Sequence, residues 1–107
     1  MRHVIHVPIY HTAITVCNDY KEQPVPESGS IGGRLVAAVW HEDGEVFMTY
    51  DPDKITRGTL AHECLHIANH ICEMKLIKAD VTNDEHVAYL LEWAFDELHP
   101  IIFGGSK

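Results

Sequence analysis

Apolar and polar positions change their period along this chain, and the changes mark out its elements. Over residues 4–17, Val4, Ile5, Val7, Ile9, Ile14 and Val16 are joined by the β-branched Thr12 and Thr15. This predicts one or two strands turning near Tyr10-His11. Pro8 suits a sheet edge, because it has no N–H to give to a ladder. Residues 18–33 hold two prolines and three glycines and lose all periodicity. They read as a loop, long enough in a domain of this size to be a flap or functional insertion. Alternation returns from 34 to 50. Leu35 to Trp40 is a predicted strand, Glu42-Asp43-Gly44-Glu45 is the turn, and Asp-Gly supplies its positive φ. Val46, Met48 and Tyr50 then alternate with Phe47 and Thr49 in the returning strand.

After Tyr50 the period lengthens to that of a helix. Leu60, Ala61, Cys64, Leu65, Ala68, Ile71 and Cys72 share one stripe of a helix expected to run to about Lys75. Asp51 or Asp53 can cap it, with Pro52 near the first helical position. Leu76 to Val81 connect to a second helix, announced by Thr82-Asn83-Asp84-Glu85 and expected to stop at about Leu98, before Pro100. Its core face is Val87, Ala88, Leu91, Ala94, Phe95 and Leu98, with Glu85, Tyr89, Glu92 and Asp96 as a polar stripe beside it. The apolar tail Ile101-Ile102-Phe103 either packs on the body or meets a second copy in a homodimer. Together these elements predict an α+β fold in one domain, residues 1–107, with a small, mostly antiparallel sheet packed on a two-helix unit.

Composition narrows the setting. Apolar residues make up 46% of the chain, enough for a packed core, yet no apolar run is long enough to span a membrane. Met1-Arg2-His3-Val4-Ile5-His6 lacks the core of a signal peptide. Cys17, Cys64 and Cys72 cannot all pair and form no C-x-x-C, so a cytoplasmic location is expected. The net charge of −8 and the lack of any Lys/Arg cluster argue against nucleic acid and anionic membranes as partners.

The chemistry concentrates in Ala61-His62-Glu63-Cys64-Leu65-His66, which reads H-E-x-x-H. On a helix, His62 and His66 lie one turn apart on one face and can bind one zinc ion. Glu63 can then act as general base toward a water on the metal. With nine histidines and nine glutamates, chance placement gives this pattern in roughly one chain in sixteen, so the pattern needs support from its surroundings. A catalytic zinc takes a third protein ligand. Glu85 follows His66 by 19 residues and Glu92 by 26. A tight antiparallel pair of helices sets Glu92 level with His66. Residues 76–84 can nonetheless span up to about 30 Å and bring Glu85 back instead.

The order of strand, helix with H-E-x-x-H, then Asp84-Glu85-His86-Val87-Ala88-Tyr89-Leu90 resembles small phage and prophage zincin-like metallopeptidases and, more distantly, the ImmA/IrrE group. The resemblance covers about residues 34–98, and more loosely Val7-Pro8-Ile9-Tyr10 with the Ile14-Thr15-Val16 strand. It implies a minimal gluzincin-like unit with Zn2+ as cofactor, held by His62, His66 and Glu85. It implies Glu63 as the catalytic base and a peptide or protein as substrate, cleaved at a peptide bond. It also implies that the strand around Val46 to Tyr50 takes up an extended peptide by strand addition, and, for a phage-encoded chain, that the site of action is the bacterial host cytoplasm. The chain lacks the leucine-methionine-proline step of ImmA/IrrE proteins, and Glu92-x-x-x-Asp96 imitates another gluzincin element, which keeps Glu92 as rival ligand. Glu85 also completes a Thr82-x-x-Glu85 capping box, a role that needs no metal. The alternative function is a zinc-binding regulatory protein that cleaves nothing efficiently and acts by holding a partner.

Overall fold

The computed structural model describes residues 1–26, 36–75, 77 and 84–104. Its elements are β1 (Arg2–Val7), β2 (Thr12–Cys17), β3 (Ala37–Glu42), β4 (Glu45–Tyr50), α1 (Arg57–Met74) and α2 (Glu85–Phe103), an α+β chain as expected. They fall into two compact units, Met1–Ile55 with the sheet and Thr56–Lys107 with the helices.

The sheet runs in the order β1-β2-β4-β3. β1 and β2 form one antiparallel hairpin and β3 and β4 another, and β2 joins β4 in parallel. The first hairpin turns through Pro8 to His11, where the Tyr10 N–H donates to the Pro8 carbonyl and Ile9 and His11 take positive φ. The second needs only two turn residues, Asp43 (φ 54°) and Gly44 (φ 78°), a pair whose twist matches the flanking strands. The expected start of β3 at Leu35 and the later half of the 18–33 loop lie outside the described residues. Side chains alternate across the sheet. Ile14, Val16, Val46 and Met48 are fully buried on one face. Val4, Thr15, Phe47 and Trp40 follow one another across the strands on the other face, as the register dictates. β2 is buried along its whole length, as befits a central strand.

One polar side chain locks the parallel seam. Gln23 is buried, and its Nε2 donates to the carbonyl oxygens of Thr15 (3.3 Å) and Met48 (3.0 Å) and to Thr49 Oγ1 (3.1 Å). The Thr49 hydroxyl in turn donates to the Gln23 carbonyl at 2.8 Å. Buried polar groups persist only when satisfied in this way.

In the helical unit, α1 begins later than the sequence suggested. Asp51 closes a separate turn: its carboxylate accepts from the Asp53 N–H (2.9 Å), and its carbonyl accepts from the N–H groups of Lys54 and Ile55. Thr56 is the true cap, extended in backbone, with Oγ1 accepting from the Thr59 N–H. Short polar side chains compete for such caps, and periodicity alone does not choose among them. The buried stripe of α1 is Leu60, Glu63, Cys64, Ile67, Ala68, Ile71 and Cys72. Leu65, expected inside, is 42% exposed, and Ile67 takes its place. α2 packs on α1, and its buried residues are Leu90, Ala94 and Leu98: Ala94 and Leu98 lie on the predicted face, Leu90 is buried in place of Leu91, and Ala88 is exposed.

α2 does not stop at Leu98. It runs through Pro100 to Phe103 and closes where the Gly104 N–H donates to the Pro100 carbonyl. The supposed tail is therefore the last helical turn, with Ile101, Ile102 and Phe103 half-buried. Pro100 has no N–H to donate to the Asp96 carbonyl, yet the chain stays helical through it to Phe103. Among the described residues, no helix is long and apolar enough to cross a membrane.

Candidate metal centre

His62 and His66 lie in the middle of an 18-residue helix, four residues apart, both exposed. Their Nε2 atoms converge to 3.2 Å, with the rings edge to face and the ring centres 4.8 Å apart. Two imidazole nitrogens bound at 2.0–2.1 Å to one tetrahedral ion stand about 3.3 Å apart. The pair therefore already has the separation that a shared zinc ion requires. In the metal-free pair, one Nε2 must carry a proton and the other must accept it.

Glu63 sits between the two histidines in sequence but faces a drier environment, being only 8% exposed. Burial pushes its carboxyl above the ordinary glutamate value, and the His62 charge offsets part of that rise. Its neighbour Cys64 is fully buried, and its thiol is pushed up to about 12 by burial and by the Glu63 charge. Such a thiol stays protonated at neutral pH, which removes it as ligand or nucleophile. Cys17 and Cys72 are likewise buried and free.

The remaining predicted donors stand apart from the pair. Glu85 is the first residue of α2, and it and Glu92 are both exposed. No set of three His, Cys, Asp or Glu donors that includes both Nε2 atoms lies within 4.8 Å among the described residues. Thr82 of the proposed capping box lies outside those residues. The helix cap is Asp84, and its side chain makes no capping bond. Glu85 nevertheless has a local role without metal, because a negative charge in the first turn suits the helix dipole.

Two features depart from the sequence reading. β4 lies between β2 and β3, so both its edges are already paired and it cannot take up a peptide by strand addition. The open edges among the described strands are those of β1 and β3. His99, which has no telling spacing to the other histidines, accepts from Arg57 Nε at 3.1 Å. Phe95 and Phe103 flank its ring, and the Arg57 guanidinium lies 5.5 Å from the Phe103 ring centre. The i, i+4, i+8 spacing of Phe95, His99 and Phe103 was the signal for this cluster, which ties the start of α1 to the end of α2.

Set against known proteins, the chain matches no family model, no curated protein and no solved structure.

Proposed function

We propose that this chain is a zinc-dependent metallopeptidase acting on peptide or protein substrates. The observation that carries the reading is the convergence of His62 and His66 to 3.2 Å with the buried Glu63 between them in sequence. In this reading Glu85 is the third donor and Glu92 its rival. Bound zinc supplies a Lewis acid that brings the pKa of water toward neutrality and polarises a carbonyl. Glu63 takes the proton of the attacking water on its carboxylate and delivers it to the nitrogen of the departing amine. A carboxyl raised by burial suits that exchange, because its affinity for the proton lies nearer the working pH. Three free, buried thiols fit a reducing cytoplasm as the place of action.

A second reading is favoured because, among the described residues, no third donor gathers with His62 and His66: a zinc-binding protein that cleaves nothing efficiently and acts by holding a regulatory partner. Metal content by mass spectrometry, measured with hydrolysis of a quenched fluorescent peptide library, separates the two. The peptidase reading expects about one zinc per chain, lost in His66→Ala and in Glu85→Ala, with Glu63→Gln keeping zinc and losing hydrolysis. Loss of zinc in Glu92→Ala rather than Glu85→Ala moves the third ligand and keeps the enzyme. Zinc without hydrolysis in the unmodified chain selects the second reading. No zinc uptake when zinc is offered overturns both.

A further inference from the structure

The sheet face opposite Ile14, Val16, Val46 and Met48 carries an open groove of about 360 Å3, within the range of small-ligand sites. Val4, Thr15, Pro24, Trp40, Glu42 and Phe47 line it. Its floor is aromatic: Trp40 and Phe47, directly paired across β3 and β4, stack with ring centres 5.8 Å apart and planes 19° from parallel. Val4 on β1 is 55% exposed, a large apolar side chain left uncovered at the edge of this floor.

The two rims differ in charge. They belong to β1 and β3, three strand spacings or about 14 Å apart. On the β1 rim, Arg2 is already occupied. Its guanidinium donates to the Glu22 carbonyl at 2.7 Å and lies 3.8 Å from the Glu22 carboxylate, which also receives the N-terminal amine. On the β3 rim, Glu42 stands directly opposite Glu45 in the ladder, with Asp43 in the turn between them. None of the ion pairs among the described residues involves any of these three acids. Like charges facing each other across a ladder repel, and a cation placed between them relieves the repulsion. An indole beside that cation adds the strongest of the side-chain cation–π acceptors.

We propose that this groove is a docking site for a basic peptide segment. An arginine or lysine side chain lies against Trp40 and Phe47 and pairs with Glu42, and a flanking apolar residue covers Val4. A second copy of this chain, at net charge −8, lacks the complementary charge. The site is independent of the histidine pair and stands whether or not the chain is a peptidase.

The test is an amide and indole NMR titration of the whole chain with acetyl-Val-Arg-Val-amide. The control peptide has citrulline, a neutral isostere, in place of arginine. The expected result is a saturable shift of the Trp40 indole N–H and the Phe47 amide, with Trp93 as the internal reference. Binding should weaken about fivefold or more with the citrulline peptide, a difference of about 1 kcal/mol. Glu42→Gln, a surface change that leaves the strand pairing intact, should weaken the arginine peptide by a similar factor, and Trp40→Leu should weaken both peptides. Equal affinity for the two peptides, an unchanged affinity in Glu42→Gln, or no saturable shift up to millimolar peptide would overturn the proposal. So would shifts that depend on protein concentration and not on peptide, because they would assign the groove to self-association.

Discussion

Gln23 offers the sharpest quantitative check on how the sheet is held. Its Nε2 carries two N–H groups and faces three buried acceptors at 3.0–3.3 Å, so it makes two full bonds with a third shared. Replacing Gln23 by Met keeps the length and much of the packing of the side chain and removes both donors. Two lost bonds cost about 2 kcal/mol, and leaving the buried Met48 carbonyl short of a donor adds about 1 kcal/mol or more. The sum, about 3 kcal/mol, corresponds to a fall in melting temperature of roughly 12 °C for a chain of this size. Urea unfolding followed by tryptophan fluorescence measures it directly. Gln23→Glu sharpens the test, because a carboxylate turns its oxygens toward three acceptors. Its pKa is raised in the folded state, so its deficit is smallest below the ordinary carboxyl range and grows as the pH rises through the folded value. A Gln23→Met cost below about 0.5 kcal/mol, or a Gln23→Glu cost that ignores pH, would refute this account of the seam.

Other consequences are simpler to read. In metal-free protein, Glu63→Gln should match the parent at pH 4 and be the more stable at pH 7. The raised Glu63 pKa makes the folded state lose ground as pH rises through it, and urea midpoints at the two pH values, with chelator present, decide the sign. Gly44→Ala should cost about 1 kcal/mol through backbone strain alone, since φ is 78° and a new Cβ meets nothing within 4 Å. A cost near zero would argue against the two-residue turn. Pro100→Ala should stabilise the chain by about 1–3 kcal/mol in a thermal melt, by restoring an N–H inside α2. A destabilised variant would mean that the proline's restraint on the unfolded chain matters more.

Much of the fold was legible because its strongest cues are local. Asp43-Gly44 between two alternating runs announced the β3–β4 hairpin, and the spacing of Leu60, Cys64, Ala68 and Ile71 announced α1. The misplaced details depend on tertiary context. Asp51 and Thr56 are both plausible caps, and only the closed turn at Asp51 decides between them. Pro100 reads as a stop unless the apolar turn after it is seen to be packed. The position of β4 inside the sheet could not be read from hairpins alone, since it follows from the parallel pairing with β2. At the candidate site, i, i+4 spacing was enough to bring His62 and His66 together. A third ligand needs a donor from another helix, and helical periodicity carries no information about that distance.

The seam between β2 and β4 also bears on how the sheet assembles. Each hairpin pairs residues close in sequence, whereas the parallel seam joins Thr15 to Phe47 across more than thirty intervening positions. Local pairing is fast and long-range closure is slow, so the topology implies two hairpins that form early and a rate-limiting union between them. Gln23, within the crossing segment, bonds to both seam strands and acts as the clasp that closes on their meeting. In a kinetic study, hairpin substitutions should slow folding and Gln23 substitutions should mainly hasten unfolding. The opposite partition would place the clasp in the nucleus and make the seam the first part of the sheet to form.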